Sequence, residues 1–236
     1  MTENKNLKLE NNCVHTVYQI LMDFPDTNYK ILLIFQIQNF RTIHMLYTAR
    51  LPLPINFDVL YDYLVDFKSK QEQMPSLLIC TPEKILMETS LAVFRGCQIQ
   101  ICLDSLLHWI KKSFNDDNNQ ELEQDITDVL HQKDLNRFVQ TYTSVREKWK
   151  NDRPCLMDEM DEYLPFLIPM YQYQKEIRPF VSTVKYAQKQ LISIYRFLQD
   201  REDLFSSEKT DMIPNQINAH LRSSLLDRID DGELSS

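Results

Sequence analysis

Tyr29–Ile37 reads Tyr-Lys-Ile-Leu-Leu-Ile-Phe-Gln-Ile, and the fold turns on this stretch. Its first part, a continuous apolar run, fits a buried strand; its spacing also fits one side of a helix. Asp26 and Thr27 are suited to cap a helix beginning near Asn28. Such a helix carries Ile31, Leu32, Phe35, Phe40 and Ile43 and stops before Leu51-Pro52-Leu53-Pro54. Helix is the expected reading. Ahead of it, Val14, Val17, Tyr18 and Leu21 space as a shorter helix stopped by Pro25.

Glycine usage pushes the same way. The 236 residues hold two glycines, Gly96 and Gly232, where average usage of about 7% gives about sixteen. Tight hairpins and bulges draw on glycine for positive φ, and phosphate-cradling loops need it where backbone meets phosphate. Rossmann, P-loop and kinase-type sites are therefore not expected. The expected fold class is all-α, an irregular multi-helix bundle with proline-kinked C-terminal helices.

Outward from that stretch, Asn56 caps a helix with Val59, Leu60, Tyr63, Leu64 and Phe67 on one stripe. Thr81-Pro82-Glu83 is a helix start, a capping hydroxyl followed by proline and an acid. That helix runs toward Phe94, with Gly96 just past its end. Ile99, Leu103, Leu106, Leu107, Ile110 and Phe114 form the most periodic face, expected to be buried. Leu135, Phe138, Val139, Tyr142, Val145 and Trp149 form another. Asn151 to Pro154 breaks the pattern. Pro165, Pro169 and Pro179 forbid one long helix beyond it, and a last helix is expected over roughly Val181 to Leu204. The expected organisation is a disordered 1–12, a helical domain 13–150, C-terminal partner-docking helices 151–205, and an acidic, mostly flexible tail 206–236.

Composition narrows function. A 43% hydrophobic, 11% aromatic chain can bury a core, and its 26 basic against 34 acidic residues leave it at net -8. Autonomous nucleic-acid binders are usually basic, because phosphate neutralisation drives their affinity. Five cysteines form no CxxC pair, and the polar start is no signal peptide; reduced thiols in cytosol or nucleus are expected. The longest apolar run, Ile31 to Phe35, is far short of a membrane span.

Catalytic signatures are sparse. His15, His44, His108, His131 and His220 show no HxxxH pairing and no nearby cysteine, so no metal site is expected. Cys97 and Cys102 read as buried structural thiols, and there is no GxSxG elbow. Asp158, Glu159, Asp161 and Glu162 lack the alternation and glycine of a calcium loop. Arg146, Lys148, Lys150 and Arg153 cluster around Trp149, either as a solvated face or as a contact to a DNA backbone. No catalytic residue and no cofactor is expected.

Several stretches resemble subunit 1 of the small-nuclear-RNA-activating protein complex (SNAPc). Phe24-Pro25-Asp26-Thr27 followed by Asn39-Phe40-Arg41-Thr42-Ile43 is similar to that family's opening helices. Gln98-Ile99-Gln100-Ile101-Cys102 with Leu106-Leu107 is similar to its most distinctive helix. Ile126 to Phe138 and Tyr171-Gln172-Tyr173-Gln174 resemble later segments. The chain departs from the family at His108-Trp109-Ile110-Lys111 and in its short tail. The resemblance implies a non-catalytic nuclear scaffold in a complex that binds the proximal sequence element for small-nuclear-RNA transcription by RNA polymerases II and III. It implies a zinc-containing subunit and a large Myb-repeat subunit as partners, which do most of the DNA reading. Tyr163, Phe166, Tyr171, Tyr173 and Tyr195 are the expected partner-docking residues. Two alternatives stand beside it. His44-Met45-Leu46-Tyr47 leading to Leu51-Pro52-Leu53-Pro54 and Phe57 resembles HORMA-domain adaptors, nearest the spindle-checkpoint regulators. An enzyme of unrecognised type is the other, and a deep pocket of convergent polar side chains would mark it.

Overall fold

The computed structural model describes residues 16–24, 27–38, 42–113, 120–201, 204–205 and 212–230. It is an α/β protein, which corrects the all-α expectation. Five strands, β1 (Thr16–Asp23), β2 (Tyr29–Gln38), β3 (Thr42–Pro52), β4 (Leu77–Cys80) and β5 (Gln98–Ile101), form one sheet in the order β3-β2-β1-β4-β5. β1, β2 and β3 form an antiparallel meander; β4 pairs parallel to β1, and β5 parallel to β4. Only β2 runs against the other four.

The stretch 29–37 is the second strand of this sheet. Ile31, Leu32, Leu33, Ile34 and Phe35 are all fully buried. A strand covered on both faces reads as a continuous apolar run, not an alternating one, and such a run contains helical spacings by accident. The segment read as a first helix is likewise β1, with Tyr18 opposite Phe35 in the ladder and their rings stacked at 5.2 Å. The glycine argument failed for a physical reason. The β1–β2 connection contains Thr27, whose hydroxyl lies 2.9 Å from the Phe24 carbonyl and 3.0 Å from that of Tyr29. The β2–β3 connection, 39–41, lies outside the described residues, and the β3–β4 and β4–β5 connections are long crossovers with helices.

Those crossovers carry α1 (Phe57–Ser69) and α2 (Lys84–Val93). Both step across the sheet in the same direction, so the right-handed rule sets both on one face, and they pack together. The Asn56 cap holds as read, with its carboxamide accepting from Val59 N–H at 2.9 Å. Gly96 does take a positive φ of 87° just past α2. From β3, the Tyr47 hydroxyl donates to Asp66 on α1 at 2.9 Å. From β1, buried Gln19 accepts from Ser90 of α2 at 2.6 Å.

After β5 the chain is helical: α3 (Leu103–Ser113), α4 (Gln120–Leu130), α5 (Leu135–Trp149), α6 (Pro154–Tyr163), α7 (Arg178–Ser182), α8 (Gln188–Gln199) and α9 (Ile213–Asp230). Gln98–Ile101, read as part of the family's most distinctive helix, is strand β5. The apolar stripe that follows is α3, with Leu103, Leu106 and Ile110 buried as expected and Leu107 half-buried. The proline-rich stretch breaks into single 3-10 turns and α7. These pieces cover the second face of the sheet. The Tyr18 hydroxyl donates to the Phe180 carbonyl at 2.5 Å, and the buried Gln100 carboxamide accepts from Met170 N–H at 2.8 Å. The carboxamide of Asn218 on α9 closes the open edge, accepting from Met45 N–H at 2.8 Å and donating to the Met45 carbonyl at 3.0 Å. Sheet edges need such cover. The expected disordered residues 1–12, Phe114 of the periodic face, residues 39–41 of the family resemblance and most of the tail outside α9 fall beyond the described residues.

Candidate functional site

The strand order fixes where a ligand fits. From β1 the chain moves outward through β2 and β3, then returns to the other side of β1 at β4. In open α/β sheets that reversal opens a crevice at the carboxyl ends of the strands. A hollow of about 800 Å³ lies there, lined by Asp23 and Lys30, by Thr81 and Glu83 after β4, and by residues of α3 and α8.

Each wall follows from local structure. Lys30, the second residue of β2, lies directly across the ladder from Asp23, which closes β1. Its ammonium sits 2.9 Å from Asp23 Oδ1 and 3.8 Å from Glu83 Oε1. Thr81-Pro82-Glu83 leads from β4 into α2, and the Thr81 hydroxyl accepts from Leu21 N–H of β1 at 3.3 Å. Asp104 lies in the first turn of α3, where the helix dipole favours an anion. His108, Trp109 and Lys112 continue up α3, and Gln188 enters from the start of α8.

The electrostatics are uneven. Burial pushes the Glu83 carboxyl above its ordinary value, and the neighbouring Asp23 charge adds to that push, while Thr81 and Lys30 oppose it. Glu83 Oε2 and Asp104 Oδ2 are shielded from water and meet no hydrogen-bond donor among the described residues. No group of three His, Cys, Asp or Glu side chains among the described residues is arranged to hold a metal ion.

The expected docking aromatics are not gathered in one place. Tyr163 is buried behind two residues that line the crevice: its hydroxyl lies 2.7 Å from the Pro82 carbonyl and its ring meets Trp109 edge-on at 5.8 Å. Tyr171 packs on Phe138 at 5.2 Å, with the Arg178 guanidinium 5.0 Å from its ring centre. The Tyr173 hydroxyl reaches Gln98 at 3.5 Å. Phe166 is half-buried against the core. Tyr195 on α8 packs on Phe24 at 4.9 Å.

The basic cluster near Trp149 is drawn into ion pairs. Arg146 meets Asp161 at 2.8 Å, Lys148 sits 2.6 Å from both Glu121 and Asp125, and Lys150 pairs with Glu147. Trp149 itself donates to Asp125 at 2.8 Å, and Arg153 is half-buried at the start of α6. Of the cysteines, Cys80, Cys97, Cys102 and Cys155 are free, with Cys80 and Cys102 buried.

Sequence reading missed the crevice. Glu83 was legible only as the acid of a helix start, Asp104 only as a polar neighbour of the apolar stripe, and His108 only as a histidine without metal-ligand spacing. The signal was present in Thr81-Pro82-Glu83: a loop joining a strand to a helix, once Leu77–Cys80 is recognised as the strand. No protein-family model matches the chain, and no curated protein matches it. No described helix is long and apolar enough to cross a membrane.

Proposed function

We propose that this chain is a non-catalytic binding protein whose working site is the crevice at the carboxyl ends of β1, β4 and β5. Its occupant is a cationic side chain, lysine or arginine, presented by a partner protein. The observation that carries this reading is the pair of shielded oxygens, Glu83 Oε2 and Asp104 Oδ2, without a donor among the described residues. An acceptor held from water without a donor costs about 1–3 kcal/mol, and more when charged. An incoming guanidinium or ammonium removes that cost, whereas an anionic occupant adds to it. The scaffold role in a nuclear promoter-binding complex belongs within the same proposal: a partner subunit supplies the cation, and DNA reading stays with the partners.

Trp109 lines the crevice, and Trp149 is the only other tryptophan. A Trp149→Phe variant therefore makes Trp109 the sole indole reporter. Titration with a short arginine peptide should change its emission to saturation, and Glu83→Gln with Asp104→Asn should abolish the response. A flat titration, or saturation by inorganic phosphate instead, would overturn the reading.

One observation favours a second reading. Glu83 is a carboxyl raised by burial inside a polar crevice, the environment that suits a general acid. On that reading the chain is an acid–base enzyme and Glu83 its proton donor. Substrate would then still bind to the Glu83→Gln variant while turnover stopped, which separates it from the first.

A further inference from the structure

The helix α1 is apolar on two sides. Leu60, Leu64 and Phe67 are buried against the body. Phe57, Tyr61 and Val65 face outward, 41%, 38% and 39% exposed. These three sit at i, i+4 and i+8, one above another along a single row, and the row is roughly 12 Å long at the rise of an α-helix. The rings of Phe57 and Tyr61 stack at 5.7 Å, which stiffens the lower half of the row. Beside it runs a second row with the same spacing, Asp58, Asp62 and Asp66. Asp58 and Asp62 are exposed; Asp66 is half-buried and pairs with Lys70 at 3.0 Å. An apolar stripe bordered by carboxylates is half of a helix-in-groove contact.

We propose that this face of α1 docks a basic amphipathic helix of a partner protein, with its apolar row on Phe57, Tyr61 and Val65 and its lysines or arginines on Asp58 and Asp62. Charge complementarity selects the occupant. A two-fold that set α1 antiparallel on its own copy would bring each aspartate row against the other, and like charges across an interface are costly. The net charge of -8 opposes self-association further and attracts a cationic partner. This site stands apart from the crevice and does not rest on it.

The test uses the full chain and two fluorescent synthetic helices. One carries leucines on one face and lysines on the flanks; its twin has glutamate for every lysine. The lysine helix should bind, measured by anisotropy, and weaken as salt rises. Tyr61→Ser should reduce its affinity by about tenfold or more, as loss of an aromatic anchor does. Because these side chains face outward, the variant should keep the parent far-UV circular dichroism spectrum and melting temperature. Glu83→Gln with Asp104→Asn should leave this binding unchanged, so the two sites fail separately. Equal binding of both helices, parental affinity in both Tyr61→Ser and Val65→Ser, or a dimer in sedimentation that Tyr61→Ser dissolves would each overturn the proposal.

Discussion

At the scale of single residues, Glu83 shows a site set against the stability of its own fold. Its carboxyl is raised above the ordinary 4.5 chiefly by burial, and Lys30 at 3.8 Å offsets only part of that. In the window between its unfolded and its higher folded value, the native state holds the proton more tightly than the unfolded chain does. Stability therefore falls as pH rises through that window. Above it, the folded protein carries a carboxylate that its surroundings disfavour. Glu83→Gln removes the ionisation and keeps the shape. The variant should unfold at higher urea than the parent at pH 7, with the gain shrinking as pH falls toward 4.5. A gain that stayed constant across that range would mean that burial of the charge is not the cause. Tyr163 makes the complementary point. Its aromatic ring invited a reading as a docking residue, yet its hydroxyl reaches the loop that carries Glu83.

At the scale of elements, legibility followed how much of each element's signal is local. α1 and α5 declare themselves through a helical stripe, and the Asn56 cap of α1 holds, while Asp134, unread in the sequence, caps α5. The Thr81 cap expected for α2 does not form, because Glu83 takes the N-cap position without a side-chain bond and the Thr81 hydroxyl serves Leu21 N–H instead. β2 does not, because burial on both faces erases the alternation that marks a strand. β4 and β5, four residues each, are too short to carry a period at all. Gln98–Ile101 also abuts α3, so Ile99 fell in phase with the stripe that follows it. The candidate site was illegible for the same reason: it is made by strand ends from distant parts of the chain. α3 supplies a test of what was legible. Leu106 is fully buried and Leu107 half-buried. Leu106→Ala should cost about 2–5 kcal/mol, the range for emptying a packed site. Leu107→Ala should cost clearly less. Urea unfolding with unchanged slope measures both, and equal costs would contradict the orientation of α3.

At the scale of the whole molecule, the break at Asn151 to Pro154 marks a turn between α5 and α6, but the segments beyond it complete the sheet's cover. The buried Gln100 needs Met170 N–H, Tyr18 needs the Phe180 carbonyl, and Pro82 receives Tyr163. Leu156, Met160, Leu167, Met170, Val181, Ile194 and Leu198 are all buried. Each large apolar side chain returned to water gives up about 1.5–3 kcal/mol. Removing several such side chains together exceeds the 5–15 kcal/mol or so by which a domain is stable. A fragment ending at residue 150 would also lose the segments that bring Met170 and Phe180 onto the second face of the sheet, exposing apolar surface prone to aggregate. The full chain should therefore unfold in one cooperative transition, with circular dichroism and tryptophan fluorescence tracing the same curve. The fragment 1–150 should show no cooperative melt and should bind a hydrophobic dye. If that fragment melted cooperatively and stayed monomeric, the sheet and α1–α5 would be a self-sufficient domain, and the role assigned to the C-terminal segments would be lost.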